Sequence, residues 1–218
     1  MLYIVATPIG NLEDITLRAL RTLKEVDLIA AEDTRHSKIL LNKYEIKTPL
    51  LSYHSHSGLA KLDKIIDQLR EGKKVALISD AGTPGISDPA YQLVNAAIEA
   101  DIPVCPIPGP SALLAALNIS GLPMDKFLYL GFLPLKKGRQ TLLKNLAQET
   151  RTLVIFESPH RLIKTLAQLL EFLGDRQIAV CRELTKIHEE ALRTTISEAL
   201  VHFQKTKPRG EFVLILAP

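Results

Sequence analysis

The sequence predicts an α/β protein of two domains, the first built on a mostly parallel sheet and the second on a mixed sheet. Three observations carry this reading. Uninterrupted apolar runs alternate with helical stripes through the first half, as strands buried on both faces of a parallel sheet do. That rhythm breaks at "NISGLPMDK" (118–126), a connection bearing both Gly and Pro. Beyond it the strand candidates stand close together, as in an antiparallel or mixed sheet. The domains are therefore placed at 1–118 and 119–218.

In chain order, "LYIVA" (2–6) reads as a buried strand. A helix over 15–24 carries Ile15, Leu17, Leu20 and Leu23 along one face. "DLIAA" (27–31) is the second strand. Residues 57–71 repeat Leu59, Leu62, Ile65, Ile66 and Leu69, and Gly72 stands where a helix C-terminal cap belongs. "VALIS" (75–79) is a strand, 90–100 a helix with Leu93, Val94, Ala97 and Ile98, and "IPVCPI" (102–107) a strand interrupted by prolines. A further helix begins at 111–117.

The second half opens with "FLYLGFLP" (127–134), followed by a helix near 139–147 and the strand "TLVIFE" (152–157). Leu162, Ile163, Leu166, Leu169, Leu170 and Leu173 mark the core side of a helix over 160–173, with Ser158 as its N-cap and Pro159 as its first residue. "QIAVCREL" and 188–196 are adjacent strands, 197–205 a helix, and "EFVLILA" the final strand.

Composition excludes several classes. A net charge of +3 over 218 residues is too weak for a protein that coats DNA, although it suits an enzyme or a protein touching RNA at one place. The only cysteines, Cys105 and Cys181, each lie in an apolar run and form no CxxC pair, which points to a reducing compartment. "MLYIVATPIG" lacks the basic start of a signal peptide, and no apolar run reaches the length of a membrane span. The expected location is the cytoplasm.

Three strands of the first domain end in rigid loops: "ATPIGN" (6–11), "SDAGTPGISDP" (79–89) and "PIPGPSA" (106–112). Glycine permits close backbone approach and proline pre-forms the loop. Each alone is a tight turn, but three at the carboxyl edge of one sheet define a binding cleft. None contains a P-loop, a dinucleotide fingerprint or a lysine, which argues against a triphosphate. A small ligand held by backbone groups and by Asp80, Thr83 and Ser111 fits better, such as a nucleoside with a charged amino-acid tail.

Polar clusters stand near the same edges. "EDTRHSK" (32–38) reads equally as a helix N-terminus favouring acids and as a cleft rim carrying Glu32, Asp33, Arg35 and His36. If "RELTKIHEE" (182–190) is extended, Arg182, Lys186 and His188 share a face, opposite Glu183 and Glu189. "YHSH" (53–56) lacks the further Cys or acidic ligands of a metal site, so none is expected there. "LKKGR" (135–139) reads as a solvated basic loop, or as one that tracks a phosphate backbone.

The segments "TPIGNLEDITLRAL", "AEDTRHSKILL", "SYHSH", "ISDAGTPGISDPAYQLV", "PIPGPSALLAAL", "GFLP", "ESPHRL", "CRELTKIHEE" and "GEFVLI" together resemble the small-subunit ribosomal RNA methyltransferases of the tetrapyrrole-methylase-like superfamily. The likeness runs through nearly the whole chain in the same order. It implies the tetrapyrrole methylase fold, with S-adenosylmethionine in a cleft between the two domains. It also implies methyl transfer to the ribose 2′-hydroxyl of a cytidine in the decoding region of 16S rRNA, within the small ribosomal subunit, by a homodimer.

Motif by motif, the resemblance puts Pro8, then Asp80, Ala81, Gly82, Thr83 and Ile86, then Ser111 and Ala112 at the cofactor, with Phe156 and Leu184 closing over it from the second domain. Glu157, Arg161, Arg182 and Glu183 are the expected substrate or catalytic groups. The family pattern usually continues into a short segment past the last strand, and this sequence stops at Pro218. Competing readings are a methyltransferase for a tetrapyrrole-type small molecule and a cofactor-free RNA-binding assembly factor.

Overall fold

A computed structural model of the chain describes residues 1–54, 59–88 and 90–218. These residues divide into two compact units, Met1–Ser111 and Ala112–Pro218. Among them, the strands form two five-stranded sheets, one in each unit.

The first unit contains β1 (Leu2–Val5), α1 (Leu17–Glu25), β2 (Leu28–Ala31), α2 (Thr34–Lys43), β3 (Leu50–Ser52), α3 (Leu59–Arg70), β4 (Val75–Ile78), α4 (Tyr91–Glu99) and β5 (Val104–Ile107). Its strand order is β3-β2-β4-β1-β5, and every pairing is parallel. "LIAA" and "VALI" are buried at every position because β2 and β4 are covered on both faces. Alternate residues feed two cores. Leu28, Val75 and Leu77 pack with Ile65, Leu69 and Leu93 from α3 and α4. Ile29, Ala76 and Ile78 pack with Ala19, Leu23 and Leu40 from α1 and α2. Each fully buried Leu or Ile contributes about 1.5–3 kcal/mol of transfer free energy.

Helix α1 starts one residue after Thr16, whose hydroxyl accepts from the Ala19 amide. Its inner face is Ala19, Thr22 and Leu23, while Leu17, expected inside, is 86% exposed. Ile98 of α4 is likewise exposed. Both stripes are narrower than their apolar residues suggested, since these nine-residue helices bury only two or three positions. Helix α2 and strand β3 are additional elements that the sequence pattern did not separate. The expected helix start at 57–58 lies outside the described residues.

The second unit contains α5 (Ala112–Ser120), β6 (Phe127–Phe132), α6 (Arg139–Leu146), β7 (Thr152–Glu157), α7 (Leu162–Leu173), β8 (Gln177–Arg182), β9 (Glu190–Thr195), α8 (Ile196–Lys205) and β10 (Phe212–Leu216). The strand order is β6-β7-β10-β8-β9. Only β6 and β7 run parallel, so the sheet is mixed as expected. Leu153, Ile155, Ile178, Val180 and Leu214 face α6, α7 and α8. On the other side, α5 approaches β8 closely enough for the Cys181 thiol to meet the Ala116 carbonyl at 3.9 Å. Helix α5 therefore belongs with this sheet, and the two units divide at Ser111/Ala112, ahead of the connection at 118–126.

Two local expectations fail here. Helix α7 begins at Leu162, and Ser158 serves it through its carbonyl, which accepts from the Arg161 and Leu162 amides at 3.1 Å, not through its hydroxyl. Residues 183–189 are a turn-rich loop, not an extended strand. Glu183 and Thr185 take φ values of 50° and 66°, so the side-chain alternation expected of Arg182, Lys186 and His188 does not exist.

Candidate functional site

In the first unit, β1 and β4 lie side by side, yet the chain leaves them in opposite directions. After β1 it crosses to β2, on the far side of β4, and after β4 it crosses to β5, on the far side of β1. The crevice beyond the carboxyl ends of two such strands is where open parallel sheets take ligands. Here it is bordered by the loops after β1, β4 and β5.

Those loops form one piece. Thr7 and Gly82 exchange backbone hydrogen bonds at 2.9 and 3.0 Å, an isolated antiparallel bridge. The Thr7 hydroxyl donates to the Ser79 carbonyl at 3.2 Å, and the Thr83 hydroxyl to the Pro110 carbonyl at 3.2 Å. Asp80 Oδ1 accepts the Asp33 amide at 2.9 Å, tying in the loop after β2. Gly82 sits at φ +77°, and a Cβ there would lie 3.3 Å from Ile9 Cγ2. The conformation therefore favours glycine, and any Cβ would also have to displace Ile9 by a few tenths of an ångström.

Among the residues expected at a cofactor, Pro8 and Gly82 are buried, Asp80, Thr83 and Ser111 half-buried, and Ala81 and Ile86 exposed. The bridge and the Thr83–Pro110 contact bring the segments carrying Pro8, Gly82, Thr83 and Ser111 together. Ala112 opens α5 in the second unit.

Behind the loop, Glu32, Tyr53, Ser79, Pro84 and Asp88 line a small cavity. Burial, then the charges of Asp88 and Asp80, push the Glu32 carboxyl above its usual range. Burial likewise raises Asp88, with Asp80 adding to it and a Ser79 hydrogen bond opposing it. In "EDTRHSK", Asp33 is the N-cap of α2 and accepts the Arg35 amide at 2.8 Å. The Arg35 guanidinium pairs with Asp33 at 2.8 Å and holds that carboxyl far below its ordinary value. The helix-start reading thus accounts for Asp33 and Arg35. Tyr53 is buried, which raises its hydroxyl, and His56 lies outside the described residues. Among the described residues no group of three or more His, Cys, Asp or Glu is placed to hold a metal ion.

In the second unit, Phe156 and Glu157 end β7 on opposite faces of the sheet. Phe156 meets Tyr129 and Phe132 edge-to-face at 5.3 and 5.9 Å. Glu157 turns to α7, its side chain fully buried. Its Oε1 accepts the Ser158 amide at 2.9 Å and faces Arg161 Nε at 3.2 Å, while Oε2 accepts the Thr165 hydroxyl at 2.5 Å. That hydroxyl in turn accepts from Arg139 at 2.7 Å. Arg139 also donates to Gln168 and to the Pro134 carbonyl, and Arg161 donates to the Leu133 carbonyl.

Arg139, the last residue of a segment expected to be a solvated basic loop or to track a phosphate backbone, is 4% exposed, because its guanidinium closes this network between α6 and α7. Burial and the Arg161 charge lower its pKa, against the pull of Glu157. Thr165 had a signal in the sequence: it is the polar residue inside the α7 stripe of Leu162, Leu166 and Leu169.

Glu183 is also committed. Its Oε1 accepts Lys186 Nζ and the Glu211 amide, each at 3.0 Å. Burial opposes its ionisation, but the Lys186 and Glu211 hydrogen bonds and the charges of Lys186 and Arg182 together hold the carboxyl low. Leu184, one residue on, is buried. Arg182 Nε lies 3.1 Å from Glu190 without hydrogen-bond geometry, and the guanidinium also donates to the His188 carbonyl at 3.4 Å.

The architecture is that of a methyltransferase class. The solved structure of uroporphyrin-III C-methyltransferase from Thermus thermophilus, a complex with S-adenosyl homocysteine, superposes with a TM-score of 0.68 over 99% of this chain and 96% of that one. At 22% identity the likeness is one of fold. The family model for Tetrapyrrole (Corrin/Porphyrin) Methylases matches residues 1–200, and the chain belongs to that family. Among its relatives, Ribosomal RNA small subunit methyltransferase I of Thermotoga maritima is 54% identical over 216 residues, 99% of this chain and 97% of that protein. The protein of the same name from Synechocystis sp. is 53% identical over 219 residues, 100% of this chain and 78% of that one.

Proposed function

We propose that this chain uses S-adenosylmethionine to methylate the ribose 2′-hydroxyl of a cytidine in the decoding region of 16S rRNA, acting on the small ribosomal subunit as a cytoplasmic homodimer. The observation that carries the reading is the Thr7–Gly82 bridge at the strand switch of the first sheet, in a chain 54% identical to a protein named for small-subunit rRNA methylation. Identity also supports rRNA over a tetrapyrrole as the substrate. The family description favours a tetrapyrrole, but a uroporphyrin-III C-methyltransferase with this fold shares 22% of its residues with this chain, against 54% for the rRNA methyltransferase relative.

The residues suit the cofactor. The carboxylate of Asp80 and the hydroxyls of Thr83 and Ser111 match ribose hydroxyls and an ammonium group, and Gly82 keeps side-chain bulk out of the loop. When bound, S-adenosylmethionine supplies an activated methyl on a sulfonium. The protein's work is then to align the acceptor oxygen, exclude water and take up the hydroxyl proton. In this reading Pro8, Asp80, Ala81, Gly82, Thr83, Ile86 and Ser111 hold the cofactor. Arg182 orients the substrate. Glu157 and Glu183 act as positioning residues, Glu157 through Arg161 and Glu183 through its loop.

The test is transfer of labelled methyl to small subunits lacking their native modifications, mapped by resistance of the ribose linkage to alkaline cleavage. A single resistant cytidine linkage in the decoding region is expected. Label on a base, or on a tetrapyrrole in place of RNA, overturns the assignment.

A further inference from the structure

Register brings four chain segments to one edge of the second sheet. β6 and β7 both end there, with Phe132 opposite Phe156, and Glu157 and Arg182 both stand opposite Phe212, the first residue of β10. The segments leaving or entering at this edge are rich in cations. Lys136 and Lys137 follow β6, Lys164 lies in the first turn of α7, and Lys207 and Arg209 precede β10. All five are exposed. Four acids at this edge already face cations: Glu157 faces Arg161, Glu183 and Glu211 share Lys186, and Glu190 faces Arg182; a fifth, Glu189, accepts the Thr185 amide. Among the described residues, none of the five cations is ion-paired.

Two further features separate this edge from ordinary solvated surface. The five cations come from three segments that meet at the ends of neighbouring strands of one sheet. Residues 133–148 and 158–170 contain no Asp or Glu. The loop carrying Lys136 and Lys137 is also held from inside, by Arg139 on the Pro134 carbonyl and Arg161 on the Leu133 carbonyl. A basic loop anchored this way presents its charges with less entropy to lose on binding.

We propose that this edge of the second unit binds the phosphate backbone of the substrate RNA. The inference rests on the rRNA reading above and adds the surface that delivers it. Neighbouring strands lie about 4.8 Å apart, so the charges flanking β6, β7 and β10 spread over about 10 Å and serve several phosphates at once. Such contacts set register and affinity, not sequence choice.

The test measures binding of the full chain to unmodified small subunits and to naked 16S rRNA across a salt series, with S-adenosylmethionine affinity measured in parallel. Lys136→Glu/Lys137→Glu and Lys207→Glu/Arg209→Glu are compared with Arg21→Glu/Lys24→Glu, a reversal at exposed residues of α1. Each edge pair is expected to weaken binding to both RNAs at least about tenfold and to lower the log–log salt slope by about 1.5, near 0.7–0.9 for each lost phosphate contact. Cofactor affinity stays unchanged, and Lys136→Arg/Lys137→Arg binds as the wild type does. Edge variants that bind RNA no worse than the α1 control overturn the inference while leaving the rRNA reading intact. Loss on subunits with full retention on naked rRNA assigns the edge to a ribosomal protein and overturns it as well. A wild-type chain that neither binds rRNA nor methylates it removes both.

Discussion

Thr165 donates its hydroxyl to the buried carboxylate of Glu157 at 2.5 Å and accepts from Arg139 at 2.7 Å, so one hydroxyl joins an acid and a guanidinium that are both shut away from water. Thr165→Val keeps the shape and breaks both links. Leaving buried polar groups short of partners costs about 1–3 kcal/mol. The melting transition of the second unit should fall by several degrees, read by differential scanning calorimetry. An unchanged transition would mean that the network contributes nothing to stability.

Gly82 stands at φ +77° with Ile9 Cγ2 3.3 Å from where a Cβ would be. Gly82→Val is therefore strained by about 1–3 kcal/mol and puts bulk into the tied loops. Calorimetric titration should show at least a tenfold loss of S-adenosylmethionine affinity. Undiminished cofactor binding by this variant takes the loop out of the cofactor site.

Glu32 and Asp88 have carboxyls raised in the folded chain, first by burial. A raised carboxyl means that the folded state binds more protons than the unfolded one through this range. The associated stability is complete below the unfolded values, 4.5 for Glu32 and 3.8 for Asp88, and is lost as pH rises through the folded ones. Glu32→Gln should accordingly raise Tm at pH 7, with the gain vanishing in acid below the unfolded value. A variant less stable than wild type at pH 7 contradicts the sign.

Gly210 lies at φ +85°, and a Cβ on it would fall 2.5 Å from the carboxyl carbon of Glu183. Gly210→Ala is expected to push Glu183 off the Glu211 amide and to destabilise by about 1–3 kcal/mol. Hydrogen exchange at Glu211 reads the first effect. Glu183→Ala in the same chain should recover part of the loss, and strict additivity of the two changes would show that they do not meet.

The parallel sheet was legible because "LIAA" and "VALI" are apolar at every position, which only strands covered on both faces need. The α7 stripe was legible from its period. Strand β3 escaped because three residues carry no alternation, and α2 was legible only at its start, because "EDTRHSK" fits a helix N-terminus and a cleft rim equally. Helix α5 is apolar nearly all round, so its sequence does not say which sheet it joins. The positive φ of Glu183 and Thr185 had no sequence signal, since neither is glycine. The rigid loops of the first unit were readable from Gly and Pro. The commitment of Glu157 to Thr165 and Arg161 was not, because its partners lie on a helix whose rotation only packing fixes.

The position of β10 bears on how the chain is made. It lies in the middle of its sheet, between β7 and β8, yet it is the last strand in chain order. Until residues 212–216 clear the exit tunnel, β7 and β8 have no neighbour to join them, and their inner edges stay open. The first unit, complete by Ser111, can be finished long before. β7 ends at Glu157 and β10 at Leu216, so at about 5–20 residues per second roughly sixty further residues leave the inner edge of β7 unpaired for about 3–12 seconds. Strand order alone makes these two inner edges the part of the nascent second unit most open to wrong pairing.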